Sequence, residues 1–456
     1  MGSVAEERET RPAEAGRAAS GDRRRGKLET GGVAPTYEGD FVLEAHLALE
    51  CGRTLVKPVL HYAVYGRLNA ARDNAVLACH ALSGSALVGA WWPGLFGESA
   101  SVVPTLSAKD AERVGRLDSG EDAGEKQVLR LREPEARSAQ DDLSAGNERF
   151  RAEIAASTGI VDLETDCVIC VNLLGSCYGS TGPGSVNPEK IGEISLYGPE
   201  FPLISIRDNV RAQAQLIEAL GIRKLKLAIG GSIGGMQALE WAILYPEHVE
   251  RAVVIGVAPL NAMGLALNHL QRRAIQNDPE WLEGWYLPHQ QPRNGLAQAR
   301  QIAMLSYKSP ELFQERFGRN PNRNGEDPWG LDRDGGGLGA DAGRFDVAGF
   351  LDYQGERFPE RFDANAYLAI LRTMDTWDPV RGWRSAAEAY GRIQACVIFV
   401  GISSDALFPA AEVKALAEAA RAAGADAEYR EMVTAHGHDA FLAEQAELVR
   451  IVNKGQ

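Results

Sequence analysis

The sequence predicts an α/β fold built on a mostly parallel sheet. Two observations carry this: short apolar runs alternate with stretches of helical period, and a glycine-bounded serine turn joins one such run to a helix. Residues 1 to about 35 are charged, rich in Gly and Ala and nearly without large apolar side chains, so they read as a disordered leader. From Phe41, FVLEAHLALECG alternates like a half-buried strand, and LVKPVLHYAVYG reads as its hairpin partner. AVLACHAL (75–82) is continuously apolar, as a strand buried on both faces requires. Residues from about 99 to 155 turn rich in Asp, Glu, Lys, Arg, Ser and Ala and read as an exposed insertion, partly helical or disordered. DCVICVNLLG restores a strand, followed by a glycine-rich loop and a helix from Asp208 in IRDNVRAQAQLIEALG. LKLAI (225–229) is the next strand, ended by Gly230 and Gly231, and AVVIGVAP is another. From about 260 to 380 helical segments dominate, among them GLAQARQIAMLSYKSPELFQERF and DANAYLAILRTMD, with a glycine-rich stretch at 325–343. Such a block between sheet strands reads as a lid over residues 36–259 and 381–456, which form the core. CVIFVGISSDALFP (396–409) then returns to strand, turn and helix start.

Bulk properties exclude several function classes. The formal net charge of −14 argues against non-specific nucleic-acid binding, which needs a basic face to release counterions. No apolar run reaches membrane-spanning length, and no apolar core follows the basic N-terminal residues, so neither a spanning helix nor a secretory signal is expected. Met1-Gly2 is not read as a myristoylation site, because Glu6 stands where Ser or Thr is required. The six cysteines are scattered; Cys167 and Cys170 form a C-x-x-C inside a strand-like run and read as buried small hydrophobes. No metal or cofactor is expected, and the cytoplasm is the expected location.

The chemistry concentrates at GGSIGGMQALEWA (230–242). Gly230, Ser232 and Gly234 make G-x-S-x-G, and Met236, Leu239, Trp241, Ala242 and Ile243 recur at roughly helical spacing after it. Strand, sharp turn and helix around such a serine is the nucleophile-elbow arrangement of α/β-hydrolases. In that fold the acid and the histidine come later in the chain, in that order, each on a loop after a strand. Asp405 comes after CVIFVG, and AEYREMV leads into TAHGHDAFL, which offers His436 and His438. A histidine can take the serine proton near neutral pH while the carboxylate orients the ring. The oxyanion hole is expected from the Ile233 N–H and from a second N–H, assigned to Leu82 in CHALSGSA, with His80 read as structural.

These stretches together resemble the homoserine O-acyltransferase family. The resemblance rests on HALSG with WWPGLFG, NLLGSCYGSTGP, FPLISIRDNVRAQ, GGSIGGMQALEWA, FLDYQGERFPERFDANAYL, SSDALFP and GHDAFL. It covers roughly residues 40 to 450 apart from the insertion. It implies an α/β-hydrolase core with a helical lid, often dimeric through that lid. The implied activity is ping-pong acyl transfer from a coenzyme A thioester to an amino-acid hydroxyl, here acetyl-CoA to L-homoserine in methionine biosynthesis. The implied catalytic set is Ser232, Asp405 and, through the GHD motif, His438 rather than His436. The resemblance also implies Arg300 on the substrate carboxylate, Asp439 on its amino group, and Tyr307 lining the site. A guanidinium fork matches two carboxylate oxygens, which suits Arg300 to that role.

Four features depart from the family. HALSGSA stands where HALTGD is usual, so Ser85 replaces a carboxylate; the charged insertion, the long leader and the extended glycine-rich stretch near 335 are also atypical. Within the transferase class, succinyl-CoA as donor and L-serine as acceptor stay open. An esterase or other hydrolase using the same triad is the reading from another class, and Arg300 and Asp439 count against it.

Overall fold

The computed structural model describes residues 32–97, 159–190, 195–322, 328 and 344–454. The expected leader up to residue 31, the expected charged insertion and most of the 325–343 stretch lie outside the described residues. The strands, in chain order, are β1 (Tyr37–Val42), β2 (Leu47–Ala48), β3 (Thr54–Leu55), β4 (Val59–Gly66), β5 (Ala75–Cys79), β6 (Cys167–Val171), β7 (Leu227–Gly231), β8 (Arg251–Ile255), β9 (Cys396–Ile402) and β10 (Ala427–Met432). Eight of them form one sheet in the order β1-β4-β6-β5-β7-β8-β9-β10, and β2 pairs with β3 as a separate ribbon. β1 and β4 pair antiparallel, as does β4 with β6, and every later pairing in the sheet is parallel.

The apolar runs are continuous because both sheet faces are covered. In β7, Ala228 joins one buried cluster while Leu227 and Ile229 join the other; in β5, Leu77 and Val76 divide in the same way. That alternation is the period-2 geometry of a strand, with helices supplying apolar cover on each side.

Local chemistry sets the element ends. The helix expected from Asp208 begins earlier, at Ile206 (Ile206–Ala219), because Ser205 caps it: its side chain accepts from the Asp208 N–H and the Asp208 carboxylate accepts from the Ser205 N–H. Asp208 is therefore the third residue of a capping box, which supports a helix start by satisfying two exposed amides at once. The long helical stretch expected over 295–317 divides into Arg293–Tyr307 and Pro310–Arg316, since Ser309 starts a new helix with Pro310 at its first position. Gly230 and Gly231 do not end β7 but are its last two residues, held extended between β5 and β8 by pairing opposite Cys79, Val254 and Ile255.

After β8 the chain leaves the sheet for the helices Ala262–Gln276, Arg293–Tyr307, Pro310–Arg316, Asp346–Arg357 and Ala364–Asp375, and a short helix, Ala386–Tyr390, leads back to β9. The return to the core is pinned by a buried ion pair. Arg207 Nε donates to both carboxylate oxygens of Glu240 at 3.1 Å, and its terminal nitrogens reach the carbonyls of Arg381 at 2.6 Å and Pro379 at 3.0 Å. Trp377 Nε1 donates to the same carboxylate at 3.1 Å. Every guanidinium nitrogen is used, yet burial outweighs the Arg207 charge and hydrogen bonds and raises the Glu240 pKa to about 7. Removing one partner alone would cost about 3–5 kcal/mol, because the other charge would be left buried and unpaired.

Candidate active site

The predicted residues gather at the carboxyl ends of β5, β7, β9 and β10, where open parallel sheets present loops to ligands. Ser232 comes directly after β7 and takes φ 57°, ψ −130°, a conformation L side chains rarely adopt. Its N–H donates to the Ile255 carbonyl at 2.9 Å, which ties the turn to β8. The turn needs glycine at Gly234, where a Cβ would lie 2.2 Å from the Cys79 carbonyl oxygen of the adjacent strand. Ser232 itself is buried.

Asp405 and His438 meet. His438 Nδ1 lies 2.7 Å from Asp405 Oδ2, while Asp405 Oδ1 accepts the Leu407 N–H at 2.8 Å and the Phe408 N–H at 2.9 Å. Gly256, just after β8, lies against this pair: a Cβ there would sit 3.4 Å from Asp405 Oδ2 and 3.5 Å from His438 Cε1. Burial alone would lower the His438 pKa, but the Asp405 charge and hydrogen bond, with Asp439 adding to them, outweigh it and raise the pKa; Lys308 opposes. The ring packs among Phe408, Phe441 and Tyr307 at centroid distances of 5.3, 5.9 and 6.0 Å. His436 is elsewhere, with Nδ1 3.5 Å from Glu444 and its ring partly exposed.

Leu82 and Ile233, the expected oxyanion donors, are both buried, and Ile233 is the first residue of the helix that begins after Ser232. Among the described residues neither N–H is taken by an acceptor. Ser85, the departure from HALTGD, uses its own atoms locally: its hydroxyl accepts the Leu87 N–H at 3.3 Å and its carbonyl accepts from Trp91 Nε1 at 2.9 Å.

The end of helix Arg293–Tyr307 closes on the histidine loop. Asp439 N–H donates to the Tyr307 carbonyl at 3.1 Å. Arg300 is buried, with its guanidinium carbon 5.7 Å from the Tyr307 ring and 5.1 Å from that of Phe358. Burial pushes the Tyr307 phenol up to about 12; Arg300 pulls it down and Asp439 pushes it up, so both charges are felt at this ring. Two participants were not anticipated. Lys308 is buried with Nζ 3.3 Å from Asp439 Oδ2, and Arg361 donates to the Ser83 carbonyl at 3.2 Å. Lys308 adjoins Tyr307 in SYKSP and Arg361 lies inside the FLDYQGERFPERFDANAYL stretch, but neither position carries a period or spacing that marks it.

The alpha/beta hydrolase fold family matches residues 162–444. A homoserine O-acetyltransferase of Symbiobacterium thermophilum is 40% identical over 88% of this chain and 88% of its own length. The chain belongs to the homoserine O-acyltransferase family. Another member, a homoserine O-succinyltransferase of Acidithiobacillus ferrooxidans (strain ATCC 53993), is 34% identical over 90% of this chain and 91% of its own. A solved homoserine O-acetyltransferase from Bacillus anthracis superposes with TM-score 0.68 at 22% identity, covering 92% of this chain and 98% of that one. Esterase E22 superposes with TM-score 0.66 at 22% identity, covering 91% and 99%. At these identities the solved structures speak for the fold, which transferase and esterase share.

Proposed function

We propose that this member of the family transfers an acetyl group from acetyl-CoA to the hydroxyl of L-homoserine through an acyl group on Ser232. Ser232 Oγ attacks the thioester carbonyl carbon while its proton passes to His438 Nε2. The C–S bond breaks, and that proton leaves with the coenzyme A thiol. The homoserine hydroxyl then gives its proton to His438 and attacks the acyl carbonyl. Ser232 recovers a proton as O-acetylhomoserine departs. The Leu82 and Ile233 amides receive the oxyanion in both halves.

The observation that carries this reading is the corner around Tyr307, where buried Arg300 lies 5.7 Å from a ring packed on His438 and half-buried Asp439 donates its N–H to the Tyr307 carbonyl. A cation for a carboxylate and an anion for an ammonium, next to the base, suit an amino-acid acceptor; an ester hydrolase has no use for them. Lys308 already pairs with Asp439, so the acceptor's ammonium shares that carboxylate. Relatives carry both acetyl- and succinyltransferase names, so the donor is the open choice within the reading.

The test is incubation with acetyl-CoA or succinyl-CoA and homoserine or serine, monitoring free thiol. Release dependent on acetyl-CoA and homoserine supports the proposal. Equal release without any acceptor supports hydrolysis, and faster release from succinyl-CoA reassigns the donor. Loss of about 10⁶-fold in turnover and of the acyl adduct is expected in Ser232→Ala. No helix among the described residues is long and apolar enough to cross a membrane, and we place the enzyme in the cytoplasm. We also expect a homodimer through the helical block, since Met263, Leu265 and Leu270 are exposed on helix Ala262–Gln276. Light scattering at twice the chain mass checks this.

A further inference from the structure

We infer that His80 is a positioning residue for the oxyanion hole, orienting the peptide that carries the Leu82 N–H. The Ala81 carbonyl and the Leu82 N–H belong to one planar unit, and because the peptide is trans they point in opposite directions. Whatever holds the Ala81 oxygen therefore aims the Leu82 hydrogen. Two donors hold it: His80 Nδ1 at 2.8 Å and the Gly84 N–H at 2.9 Å.

The imidazole is itself held in one tautomer. The Leu173 N–H, just beyond β6, donates to His80 Nε2 at 3.1 Å, so that nitrogen carries no proton and Nδ1 must carry it. The ring is fully buried, and burial, against the Ala81 hydrogen bond, lowers its pKa to about 4. It thus stays neutral where the enzyme works, with one nitrogen donating and the other accepting. The chain of contacts runs from the end of β6 through the ring to Ala81, across the peptide, and out at Leu82. Donation to the Ala81 oxygen also polarises that peptide and strengthens its N–H as a donor. A second brace comes from the helical block, where Arg361 holds a nearby carbonyl, that of Ser83.

This inference rests on reading Ser232 as the acylated group, and the experiment separates the two. Two variants each keep one half of the histidine. The amide nitrogen in His80→Asn stands near the place of Nδ1 and preserves the donor to Ala81. The longer amide in His80→Gln reaches the place of Nε2 and preserves the acceptor for Leu173. Single-turnover release of coenzyme A, steady-state kcat and KM, and the melting temperature are measured for both. Deleting an oxyanion donor typically costs 10²–10³ in kcat, so misaiming one should cost about 10- to 100-fold in His80→Gln, with KM little changed. His80→Asn should recover most of that loss, even where both variants melt equally early. Equal kcat losses in the two, or losses that track melting temperature, overturn the inference. If either variant fails to fold, ¹⁵N-histidine spectra of the wild-type chain decide. One ring still neutral at about pH 5 with its proton on Nδ1 supports the inference, and a neutral ring protonated on Nε2 overturns it. Failure of the Ser232 reading shows separately, as turnover that survives Ser232→Ala.

Discussion

Replacing Asp405 by Asn exchanges one oxygen for an NH₂ group, and the surrounding hydrogen bonds decide which way the new amide points. Asp405 Oδ1 accepts two backbone N–H groups, from Leu407 and Phe408, at 2.8 and 2.9 Å. An asparagine must keep its oxygen there, because its NH₂ would meet two donors. The NH₂ is therefore turned toward His438 Nδ1, 2.7 Å from the position of Oδ2. Nδ1 must accept, so the ring proton moves to Nε2, the nitrogen that should take the Ser232 proton. A base holding the wrong tautomer costs about 10⁴-fold in kcat in serine enzymes of this logic, equivalent to about 5 kcal/mol of barrier. The fold should survive, since every backbone bond to the side chain is retained. The pKa of His438 is raised on folding, so the charged pair adds stability that is fully present below the ordinary histidine value of 6.5. That stability is lost as pH rises through the raised value. The variant lacks it, and its melting deficit should shrink toward alkaline pH. Thiol release under saturating substrates measures the kinetic part, and scanning calorimetry across pH the other. A kcat loss of less than about a hundredfold would sink the assignment of Asp405 and His438.

His438→Ala should be as damaging as loss of the serine, whereas His436→Ala should keep most activity, because His436 stands against Glu444 and not Asp405; the reverse ranking in thiol-release assays would refute the pairing. Replacing Arg300 or Asp439 should spare the first burst of coenzyme A while slowing transfer to homoserine by about 30-fold or more, as truncating a desolvated charge pair does. Equal loss in both halves, read by rapid quench, would make these residues general supports. Lys308→Met removes a cation that lowers the His438 pKa, so the acid limb of the kcat/KM profile should move to higher pH, and Lys308→Arg should hold it in place. An unmoved limb in Lys308→Met would show that the ammonium is not felt at the ring.

Features decided within a few residues were legible in the sequence. Apolar runs flanked by glycine and turn residues became β5, β6, β7, β8 and β9, since a strand buried on two faces leaves no room for polar positions. Gly230, Ser232 and Gly234 marked the elbow because the close approach of helix to strand forbids side chains there. Asp405 was readable from its place after a strand, in an order the fold demands. The two histidines of TAHGHD were not separable on those grounds. They lie two residues apart, and only the positive-φ turn at Gly437 and the packing of Phe408, Phe441 and Tyr307 send His438 inward and leave His436 at the rim. The glycines of β7 looked like a strand end because glycine so often ends a strand, whereas pairing with β5 and β8 at Gly230, and with β8 at Gly231, keeps them in the sheet. The Lys308–Asp439 pair joins a helix end to a distant loop, and the His80 ring gains its meaning from Leu173, beyond another strand. Sequence alone determined the α/β class, most of the buried strands and the candidate triad positions, because period, glycine placement and chain order are local properties. Which charges share a carboxylate, and which nitrogen of a ring holds its proton, was settled only when the sheet brought distant segments together, since such bonds have no counterpart in local spacing.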